Sequence, residues 1–196
     1  MFGALLRRIR SWFKSDNQKR YKLEIEMVPY TMHGANVRSR LDPEHWKQIC
    51  KVVHRATNLN STNGLRCQIC GGSGKDQKQG FSHPVECHEI WTFSPETHIQ
   101  SLKGMISLCP LCHKAKHYGL AVMQGYEDKV RAHLMKVNRL TPGQLDEQLA
   151  QATAVVKERS QHEWQLDLTY LNRRQFGFLM IDFTEDEKHK CDEVVF

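Results

Sequence analysis

Long apolar runs are missing from this 196-residue chain. Nothing approaches the ~18–20 consecutive apolar residues that a helix needs to cross a bilayer, so no membrane span is expected. The apolar residues of Met1 to Phe13 are broken by Arg7, Arg8 and Arg10, with no small-residue cleavage site after them, so that segment does not read as an export signal. A Walker-type phosphate loop and a dinucleotide fingerprint are also lacking, which argues against the nucleotide chemistries built on them. No internal repeat is visible. Hydrophobic residues make up 40% of the chain and charged residues 26%, a balance that fits a globular protein and not wholesale disorder. The length suits one domain, or one domain with appendages.

Charge is present in excess and unevenly placed. The net charge is +6 and the pI about 9.0, which favours a polyanionic partner while saying nothing of the fold. Arg7, Arg8, Arg10, Lys14, Lys19, Arg20 and Lys22 load one end; Asp182, Glu185, Asp186, Glu187, Asp192 and Glu193 load the other. The two ends could attract each other or serve separate partners. Residues 1–20 form a basic arm in which Phe2, Leu5, Leu6, Ile9, Trp12 and Phe13 recur at helical spacing. A helix packed on the body is the expectation, with a membrane-surface or nucleic-acid-binding arm as the sharper alternative.

Residues 21–65 read as a strand and a helix. Leu23, Ile25 and Met27 alternate with Lys22, Glu24 and Glu26. Asp42-Pro43-Glu44 starts a helix that should reach about Thr57, with Trp46, Ile49, Cys50 and Val53 inward. Residues 66–119 hold a cysteine-rich region interrupted by the Gly71 to Gly80 loop, and Ser94-Pro95-Glu96 suggests a further helix start. Residues 120–183 read as helical: one helix from about Tyr126 to Asn138, and a longer one opened by Thr141-Pro142, which should reach about Leu166 and carry a Thr141–Gln144 capping box. Within this region residues 176–183, FGFLMIDF, suit a buried strand or a segment docking onto a protein partner. Residues 184–196 form an acidic, solvated tail. The expected class is α+β, mainly helical.

The seven cysteines are an odd number, and two pairs have metal-ligand spacing: Cys67-x-x-Cys70 and Cys109-x-x-Cys112. Spacing of this kind without an export signal points to a reducing, intracellular (cytoplasmic) setting and a metal site, not a disulfide framework. A two-residue spacer lets one tight turn aim two sulfurs at one ion, and Gly71, Gly72 and Pro110 are suitable turn residues. Four thiolates satisfy a tetrahedral Zn²⁺ completely, so that ion would be structural and any catalysis would need other residues. Buried cysteines without metal are the plain alternative.

His113 and His117 follow the second pair at i, i+4. On a helix over 110–118 they share a face and could hold one divalent metal, or could simply be exposed. Glu86-Cys87-His88-Glu89-Ile90-Trp91 alternates like a strand, which sends His88 and Glu89 to opposite faces unless it is bulged.

Taken together, CxxC, then a strand bearing His-Glu-Ile, then LCPLCHKAKH, resembles the HNH nuclease family in its four-cysteine zinc form. The resemblance covers about residues 66–119. It implies a zinc-centred ββα-metal core between helical flanks, with Cys67, Cys70, Cys109 and Cys112 as structural zinc ligands and His113 and His117 as ligands of a catalytic metal. The family's first motif fits in two registers. In one, Cys87 takes the ligand position and His88 is the base; in the other, His88 is the ligand and Glu89 replaces the base. Both His88 and Glu89 therefore stand as catalytic candidates. The asparagine that usually orients the base has no counterpart in Leu102 to Ser107, and His98 is the nearest polar residue.

The implied activity is hydrolysis of DNA phosphodiesters. His88 or Glu89 would deprotonate water, and Mg²⁺, Mn²⁺ or another divalent ion on His113, His117 and a residue of the 86–89 segment would stabilise charge on the phosphate. Lys75, Lys78, Lys103, Lys114 and Lys116 lie around this region and could contact phosphates, or be ordinary surface lysines. The competing expectations are a zinc-binding module that binds nucleic acid or protein without cutting, and a subunit of a larger phage or defence-related assembly docked through the arm or residues 176–183.

Overall fold

The computed structural model describes residues 21–58, 64–75 and 80–183. The arm, the tail and Lys78 lie outside the described residues. The chain is α+β. Helix α1 (Pro43–Thr57) precedes a hairpin of β1 (Glu86–Ser94) and β2 (Ile99–Leu108). Helices α2 (Pro110–Lys116), α3 (Tyr118–Met123), α4 (Glu127–Asn138) and α5 (Pro142–Arg159) follow, then a short β3 (Gln165–Asp167) and two 3-10 turns, Thr169–Asn172 and Arg174–Leu179. The hairpin is antiparallel, and β3 adds to β2 in parallel.

Local chemistry sets the helix starts. Asp42 accepts from the backbone N–H groups of Glu44 and His45, and Pro43 occupies the first turn of α1. Thr141 and Gln144 form the capping box of α5. In α1, Ile49 and Val53 are fully buried, while Trp46 and Cys50 are only partly covered.

The hairpin separates two apolar clusters. On one side Leu108 packs with Leu111, Ala115, Val130, Leu134 and Leu145 from α2, α4 and α5. On the other, Leu102 and Met105 pack with Ile49 and Val53 of α1 and with Trp164, Leu166, Leu171 and Phe176. Alternation along β1 distributes its side chains between these two chemically different sides.

Four expectations change. Residues 21–29 form no ladder; they run extended beside α2, with Leu23 pinned by Asn138 and Gln148 and the Glu26 N–H donating to the Lys116 carbonyl. Ser94-Pro95-Glu96 opens the turn of the hairpin, closed by His98 at φ 52°, and starts no helix. Helix α5 stops at Arg159, because the Trp164 indole donates to the Arg159 carbonyl and Leu166 is taken into β3. Residues 176–183 form no strand: Phe176, Leu179 and Phe183 fill the second cluster, leaving Met180 and Ile181 outward. No helix among the described residues is long and apolar enough to cross a membrane.

Candidate metal centre

Two clusters of side chains that could ligate a metal draw on α2 and its caps. In the first, the Sγ atoms of Cys67, Cys70, Cys109 and Cys112 all lie within 4.8 Å of one another, an arrangement that could hold a metal ion. The first pair sits on a turn closed by Gly71 N–H to Cys67 O (2.9 Å) and Cys67 N–H to Gly72 O (2.8 Å). Gln68 clamps this turn to the end of β2: its N–H donates to the Ser107 carbonyl, and its side-chain oxygen accepts from the Ser107 N–H. Gly74, at φ +89°, seats the following loop against the Pro84–Val85 backbone, where a Cβ would come within 2.6 Å of the Pro84 carbonyl carbon. Cys109 supplies the cap of α2, its sulfur accepting from the Cys112 N–H.

The four acids crowd one another. The S–H groups of Cys109, Cys112 and Cys67 drive the Cys70 thiol far down, whereas Cys109, Cys67 and Cys70 drive the Cys112 thiol up. His133 Nε2 lies 3.1 Å from Cys112 Sγ, within hydrogen-bond distance.

The second cluster is His88 of β1 with His113 and His117 of α2 and its cap. Their ligating nitrogens also lie within 4.8 Å of one another. The ring centroids are 5.2 Å (His88–His113), 5.0 Å (His88–His117) and 4.9 Å (His113–His117) apart. The helix expected over 110–118 ends at Lys116; His117 adopts φ −97°, ψ 51° between α2 and α3, yet its N–H still bonds the His113 carbonyl at 3.1 Å, which keeps the two rings together.

Two carboxylates hold this triad. Glu26 Oε2 is 3.2 Å from His88 Nε2, and Glu86 Oε2 is 2.9 Å from His113 Nδ1. Burial alone would raise Glu26, but its bonds to His88 and Lys116 hold its carboxyl below the usual range; Glu86 is held down likewise by His113. An ionised carboxylate only accepts, so the bonded nitrogen of each ring carries the proton and the other keeps its lone pair. Burial depresses His88 despite Glu26, and burial followed by the charges of His88 and His113 pushes His117 down to about 3. His88 is 3% exposed.

Glu26 is the residue that sequence reasoning missed. As part of an alternating segment it reads as solvent-facing; in the fold it bridges His88 and the buried Lys116.

The remaining candidates separate. β1 alternates through this stretch, so Glu89 points to the opposite face, where its carboxylate accepts from the Val37 N–H at 2.9 Å and burial pushes it up to about 7. The Cys87 thiol engages Cys50 of α1. Neither residue meets the triad, so the structure brings His88 to His113 and His117 without Glu89 or Cys87. Lys116 is buried in its ion pair with Glu26 and is not free to contact a phosphate. Lys114 bonds Gln124 and lies 4.1 Å over the Tyr126 ring. Lys103 is exposed on β2 at the bulge opposite Ile90 and Trp91, and Lys75 is exposed beside the first cysteine pair. His98 stacks on His162 at the far end of the hairpin (4.5 Å) and does not take the orienting role. Compared with protein-family models, curated proteins and solved structures, the chain gives no match in any of the three.

Proposed function

We propose that the chain is an HNH-like endonuclease that hydrolyses DNA phosphodiesters with a divalent metal, on a scaffold held by a structural Zn²⁺. The observation that carries this reading is the convergence of His88, from a hairpin strand, with His113 and His117, from the helix that follows it. Hairpin, helix and tetrathiolate cluster occur in the order that the family resemblance leads one to expect.

The donor sets fit the ions. Zn–S bonds of about 2.3 Å in a tetrahedron place sulfurs roughly 3.8 Å apart, and the Cys70–Cys109 separation of 3.4 Å is close to that and far beyond a disulfide bond. Two imidazoles, His113 and His117, leave positions for water and phosphate oxygens on a divalent ion, in contrast to the closed tetrathiolate. When bound, that ion polarises the phosphate and stabilises the leaving oxygen.

The chain's own residues divide the remaining work. His113 and His117 hold the ion, with Glu86 fixing the His113 ring. His88 takes the proton from the attacking water on the nitrogen that Glu26 leaves unprotonated, and Glu26 stabilises the imidazolium that results. Glu26 thus does for His88 what an asparagine does in the family pattern. Lys116, tied to Glu26, holds that carboxylate in place.

One observation favours a second reading. His88 is almost wholly covered, as suits a second structural metal site in a non-cutting nucleic-acid- or protein-binding module. Plasmid incubated with Mg²⁺ or Mn²⁺, beside His88→Ala and His113→Ala variants, separates the two. Cutting by the native chain that both variants lose supports the nuclease. Absence of cutting with every divalent metal, with salt-sensitive DNA binding intact, refutes it in favour of the module.

A further inference from the structure

Beside the tetrathiolate cluster lies a cleft of about 600 Å³, lined in part by Cys70 and Cys109. Its walls come from four separate stretches of chain. Lys22 stands on the extended N-terminal segment, Arg66 and Lys75 flank the first cysteine pair, and His133, Lys136 and Arg139 line the end of α4. No carboxylate is among the lining residues, and none of Lys22, Arg66, Lys75, Lys136 or Arg139 forms an ion pair among the described residues. Five cations thus converge on one concavity from segments distant in sequence.

Neutralising the cysteines does not account for them. A dication on four thiolates leaves a charge of −2, so the five cations exceed it by three. Cations held together without counter-charge repel one another, and an anion in the cleft relieves that repulsion. The α4 C-terminus supplies the negative end of a helix dipole beside Lys136 and Arg139, but its partial charge is about half of one electron and falls short of the excess.

We propose that this cleft binds the phosphates of a nucleic-acid backbone, as a second anchor for the strand presented to the histidine triad. The choice of DNA as the polyanion rests on the nuclease reading above; the demand for an anion does not. Cys109, Pro110 and Leu111 wall the cleft, and His113 stands one helical turn further along α2. That turn is about 6 Å of rise and the helix about 10 Å across. Phosphates follow one another every ~3.4 Å of rise along a strand, so a backbone with its scissile phosphate at the triad brings a phosphate two or three steps away into the cleft. Contacts of this kind set position and carry no sequence preference.

The test is binding of a fluorescent duplex of about 20 base pairs, read by anisotropy across a salt series. It is done in a His88→Ala background so that no strand is cut. Lys136 and Arg139 are exposed, so Lys136→Gln with Arg139→Gly leaves the fold intact, and glycine suits the left-handed φ of 55° at position 139. Unchanged thermal melting checks this. The double variant should flatten the log–log salt dependence by about two and weaken binding tenfold or more near 0.1 M salt. Wild-type slope and affinity in that variant overturn the proposal. Competition by millimolar inorganic phosphate alone, as strong as that by unlabelled duplex, assigns the cleft to a free anion and overturns the nucleic-acid assignment. Failure of the native chain to cut plasmid would remove the nuclease reading and leave this binding result standing on its own.

Discussion

Replacing Glu26 by alanine probes the least expected part of the site. The Lys116 side chain is 7% exposed and pairs with Glu26, itself 33% exposed. Glu26→Ala leaves an ammonium in the interior with no carboxylate, a change that costs about 3–5 kcal/mol for a wholly buried pair. Water reaches the Glu26 side through its exposed third, so the expected loss is nearer 2–3 kcal/mol. For a chain of this length that corresponds to a fall of roughly 4–12 °C in melting temperature. The informative partner is the double variant Glu26→Ala with Lys116→Met, which removes both charges and keeps an apolar side chain of similar length. It should regain most of the stability without regaining cutting, because His88 still lacks the acceptor that orients it. Urea titrations at pH 7, followed by tryptophan fluorescence, measure the first effect; plasmid nicking measures the second. A loss below about 1 kcal/mol in the single variant refutes the claim that a buried charge depends on this carboxylate. Restored cutting in the double variant refutes the orienting role.

Three further outcomes are expected. Cys67→Ser should lose its bound zinc by elemental analysis and melt far below the native chain, because metal binding there is folding free energy; retention of both zinc and melting temperature would exclude the tetrathiolate site. Glu89 is held near 7 against an ordinary 4.5, so between those values the native state keeps a proton that the unfolded chain has released. Stability from this group is therefore present below pH 4.5 and declines as pH rises to 7, by up to about 3 kcal/mol. Glu89→Gln should abolish that decline in urea titrations while retaining cutting, which the alternative base assignment forbids. Thr141→Ala removes one half of the α5 capping box and should cost about 1 kcal/mol, with zinc content unchanged.

Features that rest on near neighbours were legible in the amino-acid order. Asp42-Pro43 capping α1, Thr141 and Gln144 closing on each other, and two Cys-x-x-Cys turns need only a few adjacent residues to form, so their chemistry is written locally. The alternation of β1 is equally local, and it alone separates His88 from Glu89. What alternation leaves open is which interior each face meets. That depends on α1 packing against one side of the hairpin and α2 against the other, and it decides that His88 joins the triad while Glu89 turns to the Val37 amide.

Glu26 shows the limit most sharply. Nothing in YKLEIEMVPY distinguishes it from Glu24. Its place is fixed by Asn138 and Gln148 gripping Leu23 and by the Lys116 carbonyl accepting from its own N–H, contacts with residues some ninety or more positions away. The end of α5 is decided at a distance too, since β2 claims Gln165 to Asp167 as a third strand. Sequence alone therefore gave four sulfurs and two imidazoles the spacing of metal ligands. Packing of distant segments determined which carboxylate serves them and which cations line the cleft beside them, because charges meet across a fold and not along a chain.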